Sequence, residues 1–190
     1  MLKANAILLS LIFVPLFLAA QGKKSGGNFP LNHTISLNYQ GGWSETDDFV
    51  LGAGLRYQIA SPLNDSWQVG LQTGAENFNI AEGELLFPIF GMVTYQFNDG
   101  KQAPFIAAGG GYSFVALFSG EPDLGSEGGL GGEFQAGFRF KITESVKLLT
   151  SMGFRYQEAT FLKRAVFTTN DVIFRDYQYR RIMLNLGLNF

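Results

Sequence analysis

The sequence predicts an all-β fold: an eight-stranded antiparallel transmembrane β-barrel with up-and-down meander topology, preceded by a cleaved signal peptide. Three observations indicate this fold. The last nine residues, 182–190, alternate without interruption between large apolar side chains and other residues, and seven earlier segments show the same alternation. Beyond the N-terminal segment, no apolar run approaches the roughly 20 residues that a membrane helix needs. We therefore expect the chain to cross a membrane with strands, which must close into a barrel.

The N-terminal segment has the features of a secretory signal peptide. Lys3 precedes an apolar run at 6–18, which is followed by the small residues Ala19 and Ala20. The run is too short to span a membrane, and small residues stand where a signal peptidase cuts. We predict cleavage after Ala20. The predicted divisions of the chain are a signal peptide at 1–20, a short periplasmic segment at 21–30 and the barrel at 31–190.

The first four predicted strands carry their large apolar side chains at odd positions. Examples are Leu37 and Trp67, whereas Arg56, Gln72 and Glu76 stand at even positions. Because successive side chains of a strand point to opposite faces, the odd positions form an apolar outer face and the even positions a polar inner face. Pro88 falls on the inner face and removes one ladder hydrogen bond. The strands are predicted at about 31–43, 49–59, 67–77 and 84–97.

The last four predicted strands have the opposite parity. Even positions such as Phe138 and Leu186 are apolar, and odd positions such as Glu133, Arg155 and Asn185 are polar. Around 179–181 the alternation is less regular, and we expect a change of phase that a β-bulge absorbs. The strands are predicted at about 105–118, 133–142, 146–157 and 172–190.

The connections between these strands differ in length and indicate an orientation. Short turns are predicted at 61–66, 98–103 and 143–145, as is usual on the periplasmic side. The other four connections, of which two are long, should face outward. The glycine run 128–132 is assigned to the third of them and is not a phosphate-binding loop, because it lacks the lysine and the following helix. The outward connections are predicted at 44–48, 78–83, 119–131 and 158–171.

Charges of both signs are predicted on the inner face. An eight-stranded barrel has an interior only about wide enough for its own side chains, and unpaired buried charges are strongly unfavourable. We therefore expect these charges to pair and to plug the lumen. The alternative is a narrow or gated path for ions or small solutes, lined by Glu133, Arg139 and Arg155. The predicted lumen charge network comprises Arg56, Glu76, Glu84, Glu133, Arg139, Lys141, Lys147, Arg155 and Arg181.

The pattern as a whole resembles the small outer-membrane β-barrels of the OmpA/OmpX type. The resemblance rests on the eight alternating segments, on the glycine-rich strand 104–112 and on the terminal sequence Leu-Asn-Leu-Gly-Leu-Asn-Phe. It implies integration into a Gram-negative outer membrane, contact with its lipids, and a C-terminal signal that the barrel-assembly machinery recognises. The residues that correspond to this assembly signal are Leu184, Leu186, Leu188 and Phe190.

Composition and residue types exclude several other functions. The chain has no cysteine and carries 16 acidic against 14 basic residues, so it has neither thiolate metal ligands nor the basic footprint of a nucleic-acid-binding protein. We expect no metal, no cofactor and no enzyme activity. The one enzymatic alternative is lipid modification at the outer surface, which needs a Ser–His–acid set. The only histidine, His33, has Thr34 and Thr73 as candidate neighbours but no convincing serine and carboxylate.

A second class of function is recognition at the cell surface. The connection 158–171 is unusually apolar and basic for an exposed loop, and such a surface suits an extracellular protein or glycan partner. The alternative is that these residues extend the seventh and eighth strands as a protruding hairpin. The candidate partner loop is represented by Phe161, Lys163, Arg164 and Phe167. A soluble lipocalin-like barrel is the alternative fold, but it would require an apolar lumen and a polar exterior.

Overall fold

The computed structural model describes residues 31–43, 49–80, 84–116, 127–164 and 172–190, so the predicted signal peptide and periplasmic segment lie outside the described residues. Eight antiparallel strands form one closed barrel in the order β1 to β8. No described residue belongs to a helix long and apolar enough to cross a membrane. The strands are β1 (Asn32–Trp43), β2 (Phe49–Pro62), β3 (Trp67–Asn79), β4 (Glu84–Gln96), β5 (Gln102–Ala116), β6 (Gly129–Lys141), β7 (Lys147–Arg164) and β8 (Val172–Asn189).

The predicted inside-out alternation is confirmed in every strand. Along β8, for example, Met183, Asn185 and Asn189 are buried inside, whereas Leu184 and Leu186 are exposed outside. A lipocalin-like barrel has the opposite distribution, with a polar exterior. The outer face exposes large apolar side chains. Their exposure is unfavourable in water and favourable in the hydrocarbon of a membrane.

The predicted change of phase in the eighth strand is wrong. Pairing between β7 and β8 runs without a shift from Lys147 opposite Asn189 to Arg164 opposite Val172. Tyr179 and Arg181 both point inward because no extra residue separates them. The irregular alternation arises because the inner face contains a tyrosine there. The register shift lies instead between β3 and β4, near Asn77 and Asn79.

The two ends of the barrel are unequal. Turns at 63–66, 97–101 and 142–146 close one end, which we call the turn end, and the remaining connections lie at the opposite loop end. The third outward connection ends earlier than predicted because β6 begins at Gly129, and Glu127 forms a bridge with Thr160. The glycine run predicted as loop is therefore mostly strand.

The seventh and eighth strands are the longest, at 18 residues each. β7 takes up residues 158–164 of the predicted loop 158–171, as the protruding-hairpin alternative requires of the backbone there. Phe161, Lys163 and Arg164 belong to β7, and Phe167 lies outside the described residues. The backbone thus carries this hairpin well past the end of β1, whose last partner in β8 is Ile182.

Aromatic side chains gather at both ends of the outer surface. At the loop end, the rings of Trp43 and Phe49 meet edge to face with centroids 5.4 Å apart. At the turn end, Trp67 packs on Tyr95 at 4.9 Å and Tyr95 on Phe97 at 5.0 Å. Such rings prefer the boundary between lipid and water. Their placement matches the two aromatic girdles of an outer-membrane barrel.

Candidate functional site

Four ionised side chains meet in the middle of the barrel, and we call them the charge cluster: Arg56, Glu76, Glu133 and Arg155. They come from β2, β3, β6 and β7, so the cluster spans the barrel from one wall to the other. Each is at most 6 % exposed. Two cations and two anions leave the cluster formally neutral. This balance is what allows four charges to remain in an interior that is closed to bulk water.

Glu76 lies at the centre of the charge cluster because both arginines bind it. Arg56 donates from Nε to Oε1 at 2.8 Å and from Nη2 to Oε2 at 3.3 Å. Arg155 donates from Nη1 to Oε1 at 2.8 Å and to Oε2 at 2.7 Å. Charge-assisted bonds of this kind are the stronger hydrogen bonds in proteins. Glu76 thus joins neighbouring and opposite walls of the barrel.

Glu133 completes the charge cluster from the opposite side. It faces Arg155 directly across the β6–β7 pair, and its Oε2 lies 3.2 Å from Arg56 Nη1 and 3.5 Å from Arg155 Nη1. Gln72 donates from Nε2 to Glu133 Oε1 at 3.1 Å. These longer contacts make Glu133 the more loosely bound of the two carboxylates.

Aromatic rings pack against the guanidinium of Arg155. Its guanidinium carbon lies 4.6 Å from the ring centroid of Phe90 and 5.1 Å from that of Phe78. Arg155 Nη2 also donates to Gln157 Oε1 at 3.2 Å. Rings at these distances attract a cation and exclude water from it. Because Phe78 and Phe90 stand on the inner face, the cluster is closed by apolar as well as ionic contacts.

Beyond Phe78, the loop end of the lumen is filled by a small apolar group. Phe78, Leu86, Ala159 and Tyr179 pack together, with the Phe78 and Tyr179 rings 4.9 Å apart. Tyr179 donates its hydroxyl to Glu84 Oε2 at 2.6 Å. Glu84 therefore contributes to this end of the lumen and is separate from the charge cluster.

Arg181 also lies at the loop end rather than in the charge cluster. Its Nη1 donates to the backbone oxygens of Gly42 at 2.7 Å and Val50 at 3.0 Å. The guanidinium carbon lies 5.2 Å from the ring centroid of Tyr179. Arg181 thus connects the loop-end parts of β1 and β2 to β8. It does so across the seam of the barrel, where the first strand pairs with the last.

Arg139 is separated from the charge cluster in the direction of the turn end. It is buried, and its Nη1 donates to Gln96 Oε1 at 2.9 Å and to Gln68 Oε1 at 3.2 Å. The guanidinium also lies over the Phe105 ring at 5.2 Å. Both hydrogen-bond partners are neutral amides, so this arginine is solvated by dipoles and an aromatic face.

A small polar cavity separates Arg139 from the charge cluster. The cavity has a volume of about 20 Å³, which is room for one or two waters. Arg56 and Arg139 both line it. The other lining residues are Thr34, Ser36, Gln58, Gln72, Thr94, Phe105, Ala107, Gln135, Leu149 and Asn185.

The two lysines of the predicted network lie outside it. Lys141 Nζ binds Glu144 at 2.6 Å, and Lys147 Nζ lies 3.6 Å from Asp99. Both pairs stand at the turn-end rim, where the acidic partners are largely exposed. Parity correctly placed these lysines on the inner face of their strands, but the strands end there and the side chains reach the rim. The predicted network is therefore several separate groups.

The sequence analysis did not predict the apolar part of the lumen. Leu86, Phe90 and Met92 point inward from β4, and Phe78 and Phe105 do so from β3 and β5. Parity could have found them, since Phe78 is in phase with Gln72 and Glu76. An expectation that the inner face must be polar obscured them, although an eight-stranded barrel needs bulky side chains to fill its interior.

His33 lies at the turn end of the seam, within an aromatic group on the outer side. Its Nδ1 is 2.6 Å from the Tyr57 hydroxyl oxygen, and its ring is stacked with those of Tyr57 and Phe190. Thr34 points the other way, into the barrel, and accepts a hydrogen bond from Asn189. The hydrogen-bond partner of the His33 ring is a phenol, which does not build the Ser–His–acid arrangement.

Among the described residues, no group of three or more His, Cys, Asp or Glu side chains could hold a metal ion. The interior can form ion pairs across the barrel. Its cavity can hold water or a small polar species.

Comparisons with known proteins identify the fold. No protein-family model matches the chain, and a search of curated proteins finds no match. Solved structures do match. Neisserial surface protein A (NspA) has a TM-score of 0.61 and 17 % identity, over 84 % of this chain and 95 % of that one.

Two further barrels match at similar coverage. Outer membrane protein AlkL has a TM-score of 0.53 and 13 % identity, over 88 % of this chain and 93 % of that one. OprG from Pseudomonas aeruginosa has a TM-score of 0.53 and 12 % identity, over 86 % and 98 %. At these identities the likeness concerns the fold, which is that of a small eight-stranded outer-membrane β-barrel. The predicted outer-membrane location agrees with this fold and with the apolar exterior.

Proposed function

We propose that this protein is a closed, membrane-embedded scaffold of the outer membrane whose lumen is plugged and whose extracellular end serves recognition. The observation that carries the proposal is the charge cluster. It reaches across the lumen from β2 and β3 to β6 and β7 with all four members buried. Phe78, Phe90 and Tyr179 fill the space next to it. An ion would have to displace paired charges and packed rings to pass.

The β7–β8 hairpin supports the recognition part of the proposal. Its backbone continues beyond the last β1–β8 pair, which places strand edges above the barrel wall. Strand edges offer unpaired backbone groups to an extended partner. The proposed partner is an extracellular protein or glycan that contacts this hairpin and the candidate loop residues Phe161, Lys163, Arg164 and Phe167.

Two further contacts of the proposed function concern the membrane. The outward apolar face, which includes Leu184, Leu186 and Leu188, is exposed along its length and suits contact with lipid acyl chains. We propose that the barrel-assembly machinery reads the same C-terminal strand with Phe190 during insertion. Replacement of Phe190 should then slow assembly in cells.

The experiment that tests the plug is conductance of the purified, refolded barrel in a planar lipid bilayer. A heat-modifiable shift in gel mobility first confirms that the protein is folded. The expected result is a silent bilayer. Discrete conductance steps that change in an Arg155→Ala variant but not in Lys141→Ala would contradict the plug and favour the alternative, a narrow ion path through the charge cluster. Lys141 is a matched control because it is an exposed rim cation on the same face of the barrel wall.

A further inference from the structure

Arg139 is a buried cation of the lumen that forms no ion pair with a carboxylate of the described residues. Among the described residues, Arg56 and Arg155 form the ion pairs with Glu76 and Glu133 in the middle of the lumen. Arg139 is 5 % exposed, and its hydrogen bonds go to the amide oxygens of Gln68 and Gln96. A guanidinium cannot lose its proton in a protein. The positive charge therefore persists in this half of the lumen.

The Nε of Arg139 is a second sign of incomplete compensation. It is buried and has no hydrogen-bond partner within the described residues. The Nε atoms of Arg155 and Arg181 share this property, but Arg155 has two carboxylates within reach and Arg181 binds two backbone oxygens. A buried donor without a partner is costly, and more so when it carries charge. Arg139 and Arg181 both combine an unpaired Nε with neutral partners, but of these three arginines it is Arg139 that lines the cavity.

The adjoining cavity has the lining that a small anion requires. Two guanidinium-bearing residues, Arg56 and Arg139, border it, and none of its lining residues is acidic. The hydroxyl groups of Thr34 and Ser36 are among the others. These groups can turn a donor hydrogen towards an anion. A cation would instead meet repulsion from both arginines.

We propose that the cavity between Arg139 and the charge cluster is a binding site for a small monovalent anion of the size of chloride. The anion pairs with Arg139 and receives further hydrogen bonds from the polar lining. The negative charge of the anion balances the positive charge of Arg139, as carboxylates balance the two arginines of the charge cluster. The volume of about 20 Å³ for water centres fits a particle about as large as one or two waters and excludes polyatomic organic anions.

The test measures chloride binding to the refolded barrel in detergent at constant ionic strength, with gluconate replacing chloride. Gluconate is too large for the cavity. A ligand that binds only the folded state raises the melting temperature until the site is saturated. The expected result is a saturable rise with chloride and with bromide. In ³⁵Cl NMR, the same samples should show excess line width that bromide reduces.

The variants Arg139→Gln and Lys141→Gln separate a site from a general salt effect. Both remove one positive charge from the inner face of β6 near the turn end, but only Arg139 borders the cavity. The proposal expects the saturable shift and the excess line width to vanish in Arg139→Gln and to remain in Lys141→Gln. Persistence of both signals in a folded Arg139→Gln barrel would overturn it.

Wild-type protein also provides a test that does not depend on a variant. A folded wild-type barrel with no chloride-dependent line width and no saturable shift would overturn the proposal. If Arg139→Gln fails to fold, Arg139→Lys keeps a cation at the cavity and should retain chloride binding with weaker affinity. Chloride affinity in a folded Arg139→Lys barrel that equals the wild-type affinity would overturn the assignment of the site to the guanidinium of Arg139.

Discussion

The two halves of the lumen accommodate buried charge in different ways. From the middle of the lumen towards the loop end, Arg56 and Arg155 share two carboxylates, and aromatic rings pack against Arg155. Towards the turn end, Arg139 has amide oxygens, one aromatic face and a small cavity. The first half resists change because removal of any member exposes another charge. In the second half the charge of Arg139 has no carboxylate partner among the described residues. We therefore expect the stability of this half to depend on the anions in solution.

The largest effect that would test this comparison is expected from Glu76→Gln. The substitution leaves Arg56 and Arg155 with Glu133 alone, and the loss of one partner from a buried ion pair costs about 3–5 kcal/mol. Urea titration of the barrel in lipid vesicles measures the free energy of unfolding. Glu144→Gln is the matched control, because Glu144 pairs with Lys141 at the exposed rim and such pairs contribute roughly 0–1 kcal/mol.

Equal costs for Glu76→Gln and Glu144→Gln would mean that the charge cluster is hydrated like the rim. The distinction between a sealed half and a responsive half of the lumen would then fail.

A smaller effect is expected from Gly54→Ala, which tests how tightly Glu76 is held. A Cβ at position 54 would lie 2.7 Å from Glu76 Cγ and 2.8 Å from the backbone oxygen of Ala75. Overpacking of this kind costs about 1–3 kcal/mol. At Gly132 the nearest atom would be 3.5 Å away, an ordinary contact. Gly132→Ala should therefore be nearly neutral in the same urea titration.

If both alanine variants unfold at the wild-type urea concentration, Glu76 can move aside without loss. That outcome would show that the charge cluster tolerates displacement and is looser than its hydrogen bonds indicate.

The smallest effect is expected from Arg139→Gln in a chloride-free gluconate buffer. This substitution removes a charge that the described residues do not pair, so the loss of its hydrogen bonds is offset by the relief of burying an unpaired cation. The expected change in the free energy of unfolding is within about 1 kcal/mol. A loss as large as that of Glu76→Gln would show that Arg139 is as tightly integrated as the charge cluster, and the comparison between the two halves would not hold.

Most of the fold was accessible from the sequence because lipid and lumen impose opposite chemistry on alternate residues. The alternation of Leu184, Leu186 and Leu188 with Asn185 and Asn189 is a direct record of that constraint. The sequence indicates less clearly where a side chain lies along the barrel axis. Lys141 and Arg139 share a face and a strand, yet one reaches the rim and the other is buried.

Pairing inside the lumen could not be predicted in the same way. Glu76 and Arg155 meet across the barrel although 79 positions separate them, and parity does not say which inward groups face each other. The inward position of Phe78 followed from parity but conflicted with the expectation of a polar lumen. Tyr179 caused the mistaken phase change for the same reason. Filling a narrow interior outweighed polarity at both positions.

The seam between the first and last strands has a consequence for the order of folding. His33 and Phe190 exchange two backbone hydrogen bonds of 2.8 Å, and Asn189 reaches Thr34 from 155 positions away. Contacts this distant in sequence form slowly, and until they form two strand edges stay open. The nascent sheet must therefore be kept from pairing with other chains until its last residues have been made. Until β8 has paired with β1, these two open edges are where this barrel is most exposed to pairing with another chain.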